Sequence, residues 1–564
     1  MHIFLLVFSL RAFTCEWLVG FYFLFFSQLN FSLHFLFDLF SILFLSFIFL
    51  ISSVVVFYRI FYIDGDSTII RFLILLLLFV FSIAFLVVCP TLLGLVFGWD
   101  GLGVTSFLLV IYYNNFSTAR SGLITIYTNR LGDIFFLLGF FFFFSLIWMG
   151  SDSFYLLDWG LFFLLILLAG FTRRAQMPFF SWLPAAIAAP TPISSLVHSS
   201  TLVTAGVYLF FRFFFLFDTS SGITFFCLVF LITSFSAGIF ACIEIDLKRL
   251  VAISTLSQLG LIIFSLGICR AWASFFHLLS HALFKSLLFL RCGFIIINSL
   301  GIQDTRFIGR KVYLRAVFLL FLFVCNLSLC GFPFLNGFFS KDIIIEGVFT
   351  SDGFSFLFIL FFFCCCLSIL YSLKLINLVF FRGCLSASSL SSFPALKLAV
   401  LSSLFLWSIS LGKIFSKTVF DGEIYIFFLL DRVMGNLFLL GLPFIYLFYS
   451  EFLSEMLWVN WFSGNFLSKC LSGLFPLLGS EGYWLPNTLF KVALSKLSAR
   501  KISFFFTHSF KMTLLWVVLL LVTLIALFLP SSFSSIVLKR QSFFGSFFKN
   551  VLPLRFWKPI ALAF

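Results

Sequence analysis

Apolar residues along this chain come in long continuous runs, most of them about 20 residues or longer. They fall at about 3–27, 33–58, 69–89, 91–113, 133–148, 159–189, 192–212, 222–243, 248–268, 272–298, 313–348, 354–381, 393–411, 424–449 and 512–530. A helix needs ~20 apolar residues to cross a bilayer, whereas strands of a membrane barrel alternate in short segments. The pattern predicts an all-α polytopic membrane protein of about 15 transmembrane helices. Two runs carry prolines where a helix should continue: Q-M-P-F-F-S-W-L-P-A-A-I-A-A-P-T-P at 176–192 and G-F-P-F-L-N-G-F-F-S-K-D at 331–342. Proline removes an N–H and opens the ladder, and such backbone survives at membrane depth only within protein or beside water. Two broken helices in one chain point to a transporter-like fold of inverted repeats. A plain proline kink is the simpler alternative, but Lys341 and Asp342 beside the second break count against it.

This reading divides the chain into amino-terminal helices (1–90), a first repeat (91–243), a second repeat (244–382) and additional helices (383–450). A connecting segment (451–511), a final span (512–530) and a basic tail (531–564) follow. Within the connecting segment, Pro476, Gly479 and Pro486 interrupt the pattern. Residues 487–511 mix Lys491, Lys496, Arg500 and Lys501 with apolar side chains. They are too polar to span, and predict an amphipathic helix lying laterally along the membrane.

Composition sharpens the class. The chain is 62% hydrophobic and 10% charged, against ~25% charged in soluble domains. Lys and Arg outnumber Asp and Glu by 35 to 21. In a lipid-embedded chain this excess sets orientation and meets anionic headgroups, and it does not imply nucleic acid. The 13 cysteines show no C-x-x-C spacing, which excludes the usual cluster, zinc and disulfide patterns. No nucleotide loop, dinucleotide fingerprint or nucleophile elbow is found. The start, M-H-I-F-L-L-V-F-S-L, enters an apolar run without an Arg- and Ser-rich import leader. With 96 phenylalanines, the composition suggests a T-rich coding genome, such as that of an organelle making its own membrane proteins.

Charge in the middle of the chain sits within the spans. Asp100 lies in G-W-D-G-L-G, Arg130 and Asp133 in N-R-L-G-D, and Arg173 and Arg174 before the first break. His198 follows that break, and Lys341 and Asp342 lie at the second. His277, His281 and Lys285, in F-F-H-L-L-S-H-A-L-F-K, are spaced i, i+4, i+8 and form a column on one helix face. Ionisable groups at this depth are costly unless they face protein or water. Carboxylates, lysines and histidines can hand protons on when burial and neighbouring charges move their pKa values; an arginine can only act as a charge. A single histidine would read equally well as interhelical glue.

Several of these segments resemble the antiporter-like subunits of respiratory complex I, NADH:ubiquinone oxidoreductase. They are G-W-D-G-L-G-V-T-S (98–106), N-R-L-G-D (129–133), A-Q-M-P-F-F-S-W-L-P (175–184), P-T-P-I-S-S-L-V-H (190–198) and T-A-G-V-Y-L (204–209). D-L-K-R-L-V-A-I-S-T-L-S-Q-L-G (246–260), the histidine column and G-F-P-F-L-N-G-F-F-S-K-D (331–342) follow in family order. The resemblance implies a proton-pumping membrane-arm subunit of the mitochondrial inner membrane. NADH, FMN, iron–sulfur clusters and ubiquinone would be handled by partner subunits, with no cofactor or metal in this chain. Its implied contacts are other complex I membrane-arm subunits and membrane lipids, cardiolipin being a candidate. Carried over by position, the proton-handling groups are Asp100, Asp133, Arg173, His198, His277, His281, Lys285, Lys341 and Asp342. The family has Glu at the Asp100 position and Lys at the Arg173 position. The expected coupling is an Asp100–Arg173 interaction that shifts His198, the column and finally Lys341. The alternatives are the large subunit of a multi-protein cation/proton antiporter and a non-pumping scaffold. The chain also starts about one span later than typical relatives.

Overall fold

The computed structural model describes residues 17–24, 30–62, 68–149, 155–177, 179–214, 223–299, 301–305, 316–332, 335–349, 355–380 and 395–419. The expected spans at 424–449 and 512–530, the lateral segment 487–511 and the basic tail lie outside the described residues.

Helices dominate. In chain order they are α1 (Leu39–Tyr62), α2 (Ile69–Val88), α3 (Leu92–Val110), α4 (Phe116–Met149), α5 (Tyr155–Arg173), α6 (Trp182–Ala186) and α7 (Thr191–Arg212). They continue with α8 (Ile223–Ile243), α9 (Leu247–Gly267), α10 (Ala271–Asn298), α11 (Ala316–Cys330), α12 (Asn336–Phe349), α13 (Ser355–Phe380) and α14 (Ala395–Val419). Eight helices among the described residues are long and apolar enough to cross a membrane. The protein is therefore a mostly helical, multi-span membrane protein, and both expected breaks are present, between α5 and α7 and between α11 and α12.

Two expectations need correction. The first apolar run, 3–27, was expected as a spanning helix, but Trp17–Leu24 within it is a strand, β1, paired antiparallel with β2 (Asn30–Phe37), with Trp17 opposite Phe37. The second run, 33–58, begins in β2 and is helical from Leu39, as α1. Both segments are rich in aromatic residues, and Asn30, Ser32 and His34 alternate with apolar positions in β2, a period-2 signal split between the start of the 33–58 run and the gap before it. The run at 133–148 is the second half of a helix that begins at Phe116. Its polar first half satisfies its hydroxyls locally, as Thr118, Ser121 and Thr125 donate to carbonyls one turn earlier. N-R-L-G-D is thus mid-helix rather than at a helix start.

The core is centred on α10. It is buried along nearly its whole length, as are α7 and α9, whereas in α2, α4, α8 and α13 about half or more of the residues are not fully buried. On the outward faces stand apolar side chains such as Ile70, Leu77, Phe81, Leu137 and Phe141. This inside-out arrangement suits a lipid solvent, which makes no demand for a polar exterior.

Two tertiary ties fix the ends of helices. Asp38 and Ser41 cap the start of α1 reciprocally. The same carboxylate receives two hydrogen bonds from Arg212, at the end of α7 and 174 residues away. At another corner the Asp246–Asp304 bridge joins the entry of α9 to the loop after α10, and Lys374 of α13 donates to the carbonyls of Cys242 and Glu244.

Candidate functional site

The first cluster forms where α3, α4 and α5 meet. Arg173, the last residue of α5, is buried, and its Nη2 donates to Asp133 Oδ1 at 2.8 Å and to the Trp99 carbonyl at 3.1 Å. Trp99 Nε1 donates to the same carboxylate oxygen at 2.9 Å, and the guanidinium lies 4.8 Å from the centre of the Trp99 ring. Arg130 reaches the other Asp133 oxygen at 3.3 Å. Backbone approach makes room for this: a β-carbon on Gly132 would fall 2.1 Å from Thr172 Oγ1, and one on Gly103 would fall 3.0 Å from Arg173 Nη2.

The expected Asp100–Arg173 interaction is present only through space, without a direct hydrogen bond. The direct partner of Arg173 is Asp133, while Asp100 is half-exposed and lies 3.9 Å from Arg130. The reason is helical phase. Asp133 faces inward from the middle of α4, whereas Asp100 stands on the outer side of α3. The neighbouring Arg174 is fully buried with its guanidinium 3.7 Å from the Phe210 ring.

Trp182 of α6 bridges this cluster to the first break. Its Nε1 donates to the Thr172 carbonyl at 2.7 Å, and its ring centre lies 6.3 Å from that of His198. His198 sits in a π-helical stretch of α7, Ser194–Thr201, where Leu202 N reaches back five residues to the Val197 carbonyl. Ser195, Ser200 and Thr201 lie in the same stretch, and Thr201 Oγ1 and Ser200 Oγ both donate to the Leu196 carbonyl. Hydroxyls thereby take up the irregular backbone that the break exposes.

The second cluster is the column on α10. His277, His281 and Lys285 are all fully buried, and the two imidazole centres are 6.5 Å apart. Lys285 Nζ donates to Ser254 Oγ of α9 at 2.6 Å. One turn along α9, Ser257 Oγ and Gln258 Nε2 both meet the hydroxyl of Tyr371 on α13, at 3.1 and 2.9 Å. The Tyr371 ring centre is 6.0 Å from Lys285 Nζ.

Lys341 lies on α12 just past the second break. Its Nζ donates to the Leu329 carbonyl at 2.5 Å, at the C-terminal end of α11, and to Ser368 Oγ of α13 at 3.3 Å. A lysine at the C-terminal end of a helix interacts favourably with its free carbonyls and dipole. Ser340, the residue before Lys341, meets His277 Nδ1 at 2.9 Å. Asp342 is half-buried on the same helix.

The structure thus brings Asp133 and Arg173 together, seats His198 at the first break, and joins the column to the surroundings of Lys341. It leaves Asp100 at the periphery. Ser254, Ser257, Gln258, Ser340, Ser368 and Tyr371 were not singled out from sequence. Two of these groups carried a signal. Ser254, Ser257 and Gln258, and likewise Ser368, Tyr371 and Ser372, stand at i, i+3, i+4 in otherwise apolar helices, which makes each set a polar stripe.

Outside the spans, Asp246 borders this region at the entry to α9. Burial raises its carboxyl above the ordinary carboxylate value, the hydrogen bond with Asp304 adds to this, and Arg249, 3.2 Å away, opposes it.

Buried cations threaded through discontinuous membrane helices define a class of ion-handling, transporter-like membrane proteins. The family model described as NADH:quinone oxidoreductase/Mrp antiporter, transmembrane, matches residues 89–368. The NADH-ubiquinone oxidoreductase chain 5 of Anopheles arabiensis is 46% identical over 328 residues, covering 56% of this chain and 84% of that protein. The chain belongs to this family, on its NADH-ubiquinone oxidoreductase chain 5 branch. The chain 5 protein of Aedes aegypti is 45% identical over 357 residues, or 61% of this chain, and the match spans 60% of the length of that relative. The fold is similar to the Mrp complex from a Dietzia species, with a TM-score of 0.71 at 20% identity over 93% of this chain and 60% of that one. An archaeal membrane-bound sulfane sulfur reductase gives a TM-score of 0.64 at 20% identity, over 78% of this chain and 93% of that one.

Proposed function

We propose that this chain is a proton-translocating membrane-arm subunit of NADH:ubiquinone oxidoreductase in the mitochondrial inner membrane. In this reading partner subunits handle NADH, FMN, the iron–sulfur clusters and ubiquinone, and this chain contributes the path for the proton. The observation that carries it is the buried pair Lys285 and Lys341. Each ammonium is held by hydroxyls or carbonyls of neighbouring helices, and on α13 Tyr371, whose ring centre is 6.0 Å from Lys285 Nζ, stands one turn from Ser368, the hydroxyl partner of Lys341. An ammonium held by neutral partners alone is poised to lose its proton when a nearby charge changes.

The amino-terminal cluster supplies such a charge. Arg173 cannot deprotonate, so it acts by position, and Asp133 is the group that holds it. Movement of this pair is relayed past Trp182 to His198. Asp100 and Arg130, half-exposed in the middle of their helices, would be expensive against lipid tails. Their placement supports a neighbouring subunit on the α3–α4 face, from which a charge change would enter.

Lys341→Met tests the reading. In sealed vesicles reconstituted with the assembled complex, NADH-driven acidification should fall severalfold. Pumping at the wild-type rate in a fully assembled complex would favour a scaffold role. The similarity to an Mrp complex supports a second reading, a cation/proton antiporter subunit, for which proton movement would depend on added sodium and not on NADH.

A further inference from the structure

Ser340 stands where the histidine column meets the helix that bears Lys341, and its hydrogen-bond count is restrictive. Its Oγ lies 2.9 Å from His277 Nδ1 and 3.2 Å from Ser280 Oγ, and 3.3 Å from the carbonyl of Gly337, one turn back in α12. All of these side chains are fully buried. A hydroxyl has one hydrogen and two acceptor sites. If that hydrogen goes to the Gly337 carbonyl, the usual back-bond of a helical serine, both lone pairs remain for donors. Ser280 has a closer back-bond of its own, to the His277 carbonyl at 2.9 Å, and so does not compete for Ser340 as its main donor. With that hydrogen spent, His277 can meet the hydroxyl only through Nδ1–H, and its basic lone pair is then on Nε2, which accepts no hydrogen bond from the described residues.

We propose that Ser340 is a positioning residue that fixes His277 in its Nδ1–H form, so that Nε2 is the atom that takes up and releases a proton. The other nitrogen's hydrogen bond decides which ring nitrogen of a histidine is available. The Nδ1–H to Ser340 bond is the same in neutral and protonated His277, so charging the ring requires no change of partner at α12. The charged group that acts on His277 is Lys341 on α12; His281 and Lys285 continue the column on α10, where His281 meets the charges of both Lys285 and Lys341. The helix contact leaves little slack for another arrangement, because a β-carbon on Gly337 would fall 1.7 Å from the Ser328 carbonyl oxygen.

The inference rests on the proposed proton translocation, and its test separates the two. Ser340→Thr and Ser340→Val have nearly the same shape and differ in the hydroxyl. In vesicles containing the assembled complex, Ser340→Thr should retain most NADH-driven acidification. Ser340→Val and Ser340→Ala should lower its initial rate by about tenfold, the effect of one lost buried hydrogen bond. Equal rates for Thr and Val, whether both high or both low, would overturn the role, since the hydroxyl would then make no difference. Lys341→Met is measured alongside. Loss of pumping there, with normal pumping in Ser340→Val, would sink the role of Ser340 alone. Normal pumping in Lys341→Met would sink the proposed function.

Discussion

Arg173 Nη2 is 2.8 Å from Asp133 Oδ1, and the carboxylate that holds this buried guanidinium is therefore on α4 and not at Asp100 on α3. Removing one member of a buried ion pair leaves a charge without compensation, at a cost of about 3–5 kcal/mol. Asp133→Asn and Arg173→Met should each lower both assembly and NADH-driven pumping. Asp100→Asn should assemble normally. Arg173→Lys, which keeps the charge, should retain most activity. Native-gel assembly and vesicle acidification on the same preparations check all four. Normal behaviour of Asp133→Asn would show that Arg173 does not depend on it.

Ser254 is the direct hydrogen-bond partner of Lys285, at 2.6 Å. Ser254→Ala should slow pumping severalfold with little effect on assembly, and Ser254→Thr should restore it. A rate unchanged by Ser254→Ala would place Lys285 outside the path.

Arg212 and Asp38 tie the end of α7 to the start of α1. Arg212→Met leaves the buried Asp38 carboxylate facing only Ser41, and should destabilise the fold by about 3–5 kcal/mol. Arg212→Met combined with Asp38→Asn should recover part of the loss. The yield and melting temperature of the purified complex measure it, and a double variant no better than the single one would rule out the pairing.

The raised carboxyl of Asp246 gives a pH-dependent expectation. A folded-state pKa above the ordinary value means that folding favours the protonated form. That stabilisation is complete below the ordinary carboxylate range and is lost as pH rises through the raised value. Asp246→Asn should therefore give a small increase in melting temperature at neutral pH, shrinking as pH is lowered toward the carboxylate range. A gain that does not vary with pH would remove ionisation as its cause.

These residues also mark how far the sequence could be read. The histidine column was legible because its i, i+4, i+8 spacing is a local property of one helix. Both breaks were legible because proline acts on its own ladder. The choice between Asp100 and Asp133 was not, because it depends on how α3 and α4 are rotated against α5. The Asp38–Arg212 tie spans 174 residues, and no spacing rule connects them. The strand pair was hidden for another reason: β1 lies inside a continuous apolar run, which fits either a strand or a helix, and the alternation in β2 is too short and too divided to decide it.

The π-helical stretch in α7 has an effect beyond seating His198. One residue more per turn advances everything after it by about 100° around the axis. Thr204, Tyr208 and Arg212 form the stripe beyond it, and two of them reach the Val87 carbonyl and Asp38. Before it, Thr191 packs against Gly293 of α10, where a β-carbon would fall 2.4 Å from its hydroxyl. The inserted residue is thus a phase correction, setting two faces of one rod at angles that an uninterrupted α-helix would not combine. Deleting any single residue of 194–201 would leave the composition almost unchanged, yet would turn Tyr208 and Arg212 away from α1 and α2.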